Sequence, residues 1–466
     1  MRVLLVTPNI HFMFRLHPTG IAKLGAVLRQ DGHDVKLLDM NAEDTSLSDL
    51  RKCLYDFMPD FVGISYITSD IVQAREIRDC VKDCNPHTIV IGGGVDVSAR
   101  REASVVDVGA DIGVVGEGED VIVPIVNNNI FRSNSTPLSE IKGLVLNDGK
   151  SCYFTGEKPP ITNLDQYPFA AYDLLNLKSY RRNLLCLPLD FLTISTSRGC
   201  PGHCCFCFNS MGTKWRANSA KYVVDELEHN RDTLPIKLKS IIFMDDTFTV
   251  DKQRVYDICR LIKERKIDLT YKFETRVNLV DEDLLRTMYD VGFKHIAYGV
   301  ESGNDKILEE WQKGITKDQI RDAFKLSHQL GYTTTAYMIV GALSETPDTV
   351  RESINFIKEI QPDFVQWSVA CPLPATKLTE QFEKEFHKID DWRGLYYNSV
   401  LSRKKPYAFY HTRYMTNEEL QIWAKRAYRE TYFNLRYVWK RVCRMKNYTE
   451  VKSTAIGVWE ILNSIW

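Results

Sequence analysis

The chain has 466 residues, 44% of them hydrophobic and 26% charged, with 60 Lys and Arg against 61 Asp and Glu. That length exceeds one ordinary core and implies two to four domains, and the near-neutral balance argues against a whole-chain polyanion binder. No apolar run reaches the roughly 18 residues that span a bilayer, and the run in MRVLLVTPN is too short for a secretory signal, so the expected location is the cytoplasm.

Over residues 1–130 short apolar runs alternate with amphipathic stretches. RVLLVT (2–7) reads as a strand bounded by Pro8 and Asn9. The spacing then predicts a helix over 20–32 ending on Gly32, a strand over 34–40, a helix near 47–58, a strand over 60–66, a helix near 70–83, and strands at 88–94 and 112–120. Such alternation implies a parallel sheet covered on both faces. Ligands of such sheets sit at the carboxyl ends of the strands. Here those ends carry residues 8–20, Ser65–Ser69, Gly92–Gly94 and Gly116–Gly118. Glycine lets a backbone approach a flat or anionic ligand, and serves tight turns equally.

Residues 136–190 are turn-rich and proline-containing and read as a linker. A second series follows: strand 191–197, the stretch TSRGCPGHCCFCFN (196–209), helix 220–232, strand 238–248, helix 253–266, strand 270–278, helix 281–291, strand 295–303, helix 317–330, strand 332–343, helix 346–360 and strand 363–374. Six strands with five intervening helices make three-quarters of a (β/α) barrel over 191–395, with chemistry at the carboxyl ends. The rest, 396–466, includes a stretch (403–446) with twelve Lys or Arg, three Glu and ten aromatic residues, helical from about 416. Three readings apply: a helical cap on the open barrel side, a surface for an anionic or lipidic substrate or a membrane interface, and nucleic-acid binding, which no accompanying RNA-binding module supports.

Cys200, Cys204 and Cys207 follow a C-x3-C-x2-C spacing directly after the first barrel strand. Zinc needs a fourth ligand in a structural site, such as Cys205 or His203, and adjacent Cys204 and Cys205 rarely both point at one ion. Three thiolates suit a [4Fe–4S] cluster with one iron left open, with Cys205 a bystander. The eight cysteines outside this cluster read as small buried hydrophobes.

The motif C-x3-C-x-aromatic-C, with Phe206 at the aromatic position, resembles the signature of the radical S-adenosylmethionine (SAM) enzymes over about 191–375. The resemblance implies that the open iron chelates SAM, whose cleavage yields a 5′-deoxyadenosyl radical that abstracts hydrogen from substrate. It places Asp245 and Asp246 near the methionyl amine, offers Arg276, aligns Glu301 with the SAM carboxylate or ribose, and lays Ile339 and Gly341 along the adenine. The alternatives are a helix cap for the two aspartates and a buried Arg276–Glu301 ion pair. It also implies an electron donor such as flavodoxin or ferredoxin.

An α/β domain before such a barrel resembles the class whose N-terminal Rossmann-like domain (1–135) binds cobalamin, matched by PTGIAKLGAVLRQDGHDVKLLDMNAE and by GISYITSD, VIGGG and VVGEGE. Cobalamin contacts are then expected at Gly92, Gly93, Gly94, Ser65, Tyr66 and Gly116. The D-x-H-x-x-G motif is missing, so no lower histidine ligand is implied, and GGGVDVS replaces the usual Gly-Gly-Pro-His. His11 and His17 read as solvated loop residues. Many members of that class methylate unactivated carbons. Others keep the domain without using cobalamin, as radical dehydratases, oxidoreductases or rearrangement enzymes. A non-catalytic iron–sulfur protein is the third alternative. A small-molecule or lipid-like substrate is expected near Trp367, Ser368 and Pro372.

Overall fold

The computed structural model describes residues 1–10, 15–128, 137–182, 190–392, 410–434 and 437. Strands β1 (Arg2–Thr7), β2 (Asp34–Asp39), β3 (Phe61–Ser65), β4 (Ile89–Gly93) and β5 (Ile112–Val114) pair in parallel in the order β2-β1-β3-β4-β5. Side chains alternate along a strand, and β1 shows both consequences. Val3 and Leu5 join Ile21, Ala22 and Leu28 in one core, while Leu4 and Val6 join Leu50, Leu54, Ile71 and Ile77 in another. The helix Leu47–Phe57 starts where Ser46 and Asp49 cap each other's backbone N–H groups.

The sheet continues beyond β5. Strands β6 (Leu144–Asn147) and β7 (Cys152–Phe154) add an antiparallel hairpin to its far edge. Asp148 closes the turn by accepting from the N–H groups of Lys150 and Ser151 at 2.8 and 2.7 Å. This stretch belongs to the span read from sequence as linker. Farther on, residues of the same span fasten the two halves together. The Tyr180 hydroxyl donates to Asp39 Oδ2 at 2.8 Å, and the Tyr172 hydroxyl donates to the Thr193 carbonyl at 2.7 Å.

The second sheet begins with β8 (Phe191–Ile194). A two-stranded ribbon follows, β9 (Ser197–Arg198) against β10 (Arg216–Ala217). Then come β11 (Ser240–Phe243), β12 (Thr270–Thr275), β13 (Phe293–Glu301), β14 (Thr333–Val340) and β15 (Phe364–Val369). With β8 they form six parallel strands in chain order, the partial barrel that the sequence predicts. Every residue of β8 and β11 is buried, as in sheets covered on both faces. A representative covering helix, Pro347–Ile360, carries the Thr346 cap and Pro347 in its first turn and buries Val350, Ile354, Phe356 and Ile357.

The helix Asn417–Tyr432 shields the edge strand β15. The Trp367 N–H donates to the Tyr428 hydroxyl at 3.0 Å, and the Val365 N–H donates to the Tyr432 hydroxyl at 2.9 Å. This is the cap arrangement for 417–432. Most of the remaining basic and aromatic stretch lies outside the described residues. Among the described residues no helix is long and apolar enough to cross a membrane.

Candidate active site

The carboxyl ends of the two sheets meet at a cavity of about 600 Å³. Ser65, Gly92, Gly93, Gly94 and Gly116 line it from the first sheet, and Cys200, Cys204, Phe206, Cys207, Asp246, Arg276 and Glu301 line it from the second.

The thiols sit on the loop between β9 and β10. Cys200 Sγ lies 3.4 Å from Thr247 Oγ1, and Arg276 Nη1 lies 3.7 Å from Cys204 Sγ. Burial, then the neighbouring Cys204, Asp246 and Cys200, push the Cys207 thiol up to about 12. All three thiols face one cavity from one short loop, a donor set that fits a metal cluster. Among the described residues no three His, Cys, Asp or Glu side chains converge on a position for a single ion; the three thiols border a shared space instead. Cys205 turns away: it is 1% exposed, and its Sγ lies 3.5 Å from the Glu310 carbonyl. Phe206 meets Trp311 edge-on at 5.2 Å, which fixes the loop against the barrel.

At the strand ends the structure separates two neighbours. Asp246 opens into the cavity, where burial and then Asp245 and Glu274 raise its carboxyl above the ordinary range. Asp245 is 1% exposed and accepts from the Thr196 N–H and hydroxyl at 2.6 and 2.7 Å. Glu301 pairs with Lys313 at 2.7 Å rather than with Arg276. The register of β13 against β14 shifts between Gly299 and Glu301, and Glu301 adopts φ +68°, a bulge that re-aims its carboxylate. Arg276 donates to the Lys313 carbonyl instead. Lys313, Glu274 and Tyr337, whose hydroxyl donates to Glu274 at 2.5 Å, line the cavity and were missed by sequence reasoning. Ile339, Gly341, Trp367, Ser368 and Pro372 do not line it. The Gly341 carbonyl accepts from the Tyr410 hydroxyl.

On the first sheet, Gly94 has φ +101°, and a Cβ there would stand 2.5 Å from the Tyr66 carbonyl. Gly93 and Gly116 differ: nothing lies within 4 Å of where their Cβ atoms would be. The wall is therefore open at Gly93 and Gly116, where it leaves room for a corrin. Tyr66 faces away, its hydroxyl 2.9 Å from Ser104 Oγ. His17 is not solvated, contrary to the sequence reading. It is 4% exposed and stacked on Tyr180 at 3.9 Å, and burial lowers it to about 3. The linker residues Tyr172 and Tyr180 fold over it, which local sequence does not reveal. His11 lies outside the described residues. Lys23 reaches from the first half to the Tyr222 hydroxyl at 2.6 Å, another cavity group without a sequence signal.

Three thiols beside an open glycine wall mark the meeting point of a six-stranded partial barrel and an α/β domain. The model of the Radical SAM superfamily matches residues 194–357, and that of the B12 binding domain matches residues 7–126. A protein named as an uncharacterized methyltransferase from Pyrococcus horikoshii is 33% identical over 389 residues, 82% of this chain and 83% of that one. The anaerobic magnesium-protoporphyrin IX monomethyl ester cyclase of Cereibacter sphaeroides is 26% identical over 94% of this chain and 72% of its own. The structure of the cobalamin-dependent SAM radical enzyme OxsB, with aqua-cobalamin and SAM bound, superposes with TM-score 0.75 at 18% identity, covering 100% of this chain and 71% of that one. The chain belongs to the radical SAM enzymes that carry an N-terminal B12-binding domain.

Proposed function

We propose that this enzyme is a cobalamin-dependent radical SAM methyltransferase acting on an unactivated carbon of a small-molecule or lipid-like substrate. The observation that carries the reading is the shared cavity, with three thiols on one side and an open glycine wall on the other. A [4Fe–4S] cluster held there would supply the electron for reductive cleavage of SAM, and cobalamin would supply methyl-carrier chemistry. Cys200, Cys204 and Cys207 would hold the cluster, three ligands for four irons, so that SAM could take the remaining position. Asp246 accepts from the SAM amino group. Arg276 and Glu301, the latter held by Lys313, meet the SAM carboxylate and ribose. Ser65, Gly92, Gly93, Gly94 and Gly116 would form the surface that receives the corrin, with Tyr66 supporting that surface from behind. An external one-electron donor such as flavodoxin or ferredoxin serves the cluster, and contact of the basic C-terminal region with a membrane surface is part of the same reading.

The methyltransferase name of the Pyrococcus relative supports this reading. The cyclase relative, aligned over 94% of the chain, supports a second one, radical oxidation or rearrangement without methyl transfer. Anaerobic purification with hydroxocobalamin, cluster reconstitution, reduction and addition of SAM separate them. The first reading expects bound corrin, 5′-deoxyadenosine and S-adenosylhomocysteine. Formation of 5′-deoxyadenosine with neither corrin nor S-adenosylhomocysteine leaves the second, and SAM left uncleaved counts against both.

A further inference from the structure

One turn of the first sheet belongs to both sides of the cavity. Gly116 contributes to the open wall, and Glu117 and Glu119, just beyond it, reach the base of the cysteine loop. Arg198 Nη1 donates to Glu117 Oε1 at 2.7 Å and to Glu119 Oε2 at 3.3 Å, while its Nη2 donates to Glu119 Oε1. Arg216 Nη1 donates to both Glu117 oxygens at 2.8 and 2.9 Å, and its Nη2 donates to the Met211 carbonyl, inside the loop, at 2.9 Å. The side chains of Glu117, Glu119 and Arg216 are only 4%, 7% and 4% exposed.

The ribbon at the loop base does not hold itself. Arg198 and Arg216 are register partners across β9 and β10, strands of two residues each. Like charges directly opposite each other destabilise a strand pair, and an isolated two-stranded ribbon is marginal in any case. The two carboxylates that offset the two guanidiniums come from the other half of the molecule.

We propose that Glu117 and Glu119 are positioning residues: acting through Arg198 and Arg216, they register residues 199–215, which carry all three thiols, against the glycine wall of the first sheet. The inference deepens the methyltransferase reading and rests on it for the identity of the two groups being aligned. With the register lost, SAM cleavage continues while methyl transfer falls away from it.

The test uses reconstituted full-length protein loaded with hydroxocobalamin. Glu119→Gln removes one charge. Arg198→Lys keeps the charge but loses the two-pronged fork, and it serves if the first variant folds poorly. The reciprocal pair Glu119→Arg with Arg198→Glu restores opposite charges. Hydrogen exchange is followed by region. The amides of 199–215 are expected to exchange about tenfold faster or more in each single variant, with those of β11 and β13 unchanged and the reciprocal pair largely recovered. The ratio of S-adenosylhomocysteine to 5′-deoxyadenosine is expected to fall several-fold in parallel. Unchanged exchange in both single variants overturns the proposal, as does a reciprocal pair no better than either. A wild-type protein that makes 5′-deoxyadenosine without S-adenosylhomocysteine defeats the methyltransferase reading, and the exchange data still decide the positioning role.

Discussion

The Lys313 ammonium lies 2.7 Å from the Glu301 carboxylate, and both side chains are 7% exposed. Removing one partner of such a pair leaves an uncompensated buried charge. Lys313→Met is expected to cost about 3–5 kcal/mol in denaturant unfolding. Adding Glu301→Gln to it should recover most of that stability without restoring SAM affinity. Recovery of both by the double variant would remove Glu301 from the SAM site.

Neighbouring cysteines should separate cleanly. Cys204→Ala is expected to abolish iron and sulfide incorporation and all SAM cleavage. Cys205→Ala, which only trims a packed side chain, should keep both at the expense of about 1 kcal/mol of stability. Iron and sulfide analysis with visible absorbance decides the matter, and a Cys205 variant without a cluster would refute the bystander role.

Adjacent glycines make the parallel case on the first sheet. Gly93→Ala places a methyl group in open space and should lower corrin retained per chain while leaving the melting temperature in place. Gly94→Ala meets the Tyr66 carbonyl at a positive φ and should lose about 1–3 kcal/mol of stability. Corrin absorbance per chain, read beside thermal unfolding, distinguishes the two.

His17 makes stability pH-dependent. Burial lowers it from 6.5 to about 3, so between those values the unfolded chain binds the proton and the folded chain does not. Its contribution is intact above pH 6.5 and declines as pH falls, by about 1.4 kcal/mol per unit. His17→Phe keeps a ring against Tyr180 and has no proton to gain. Urea unfolding at pH 7.5 and 5 should show the wild type losing about 2 kcal/mol more than the variant; equal losses would contradict the assignment.

Much of this was legible in the chain. The strand–helix alternation located both sheets, because fully buried parallel strands read as short apolar runs, and the C-x3-C-x2-C spacing picked out three residues that do line one cavity. What was not legible depends on long-range partners. Nothing local distinguishes Asp245 from Asp246; Thr196, 49 residues away, claims the first. Lys313 gains its role from a bulge beside Glu301 that no residue type announces. The hairpin of β6 and β7 carries an Asp148-Gly149 turn signal, which the surrounding prolines and polar residues obscured. In VVGEGE the glycines drew notice, whereas the glutamates had meaning only once Arg198 and Arg216 were placed opposite them.

That square of two acids and two bases carries an evolutionary consequence. None of the four can lose its charge singly without leaving another uncompensated inside the protein, so descendants should inherit or discard the charges as a set. Cousins that lack the amino-terminal half have no carboxylates to answer the arginines and should fasten their cysteine loop by apolar means. Covariation at positions 117, 119, 198 and 216 across such lineages would record when the two halves became one machine.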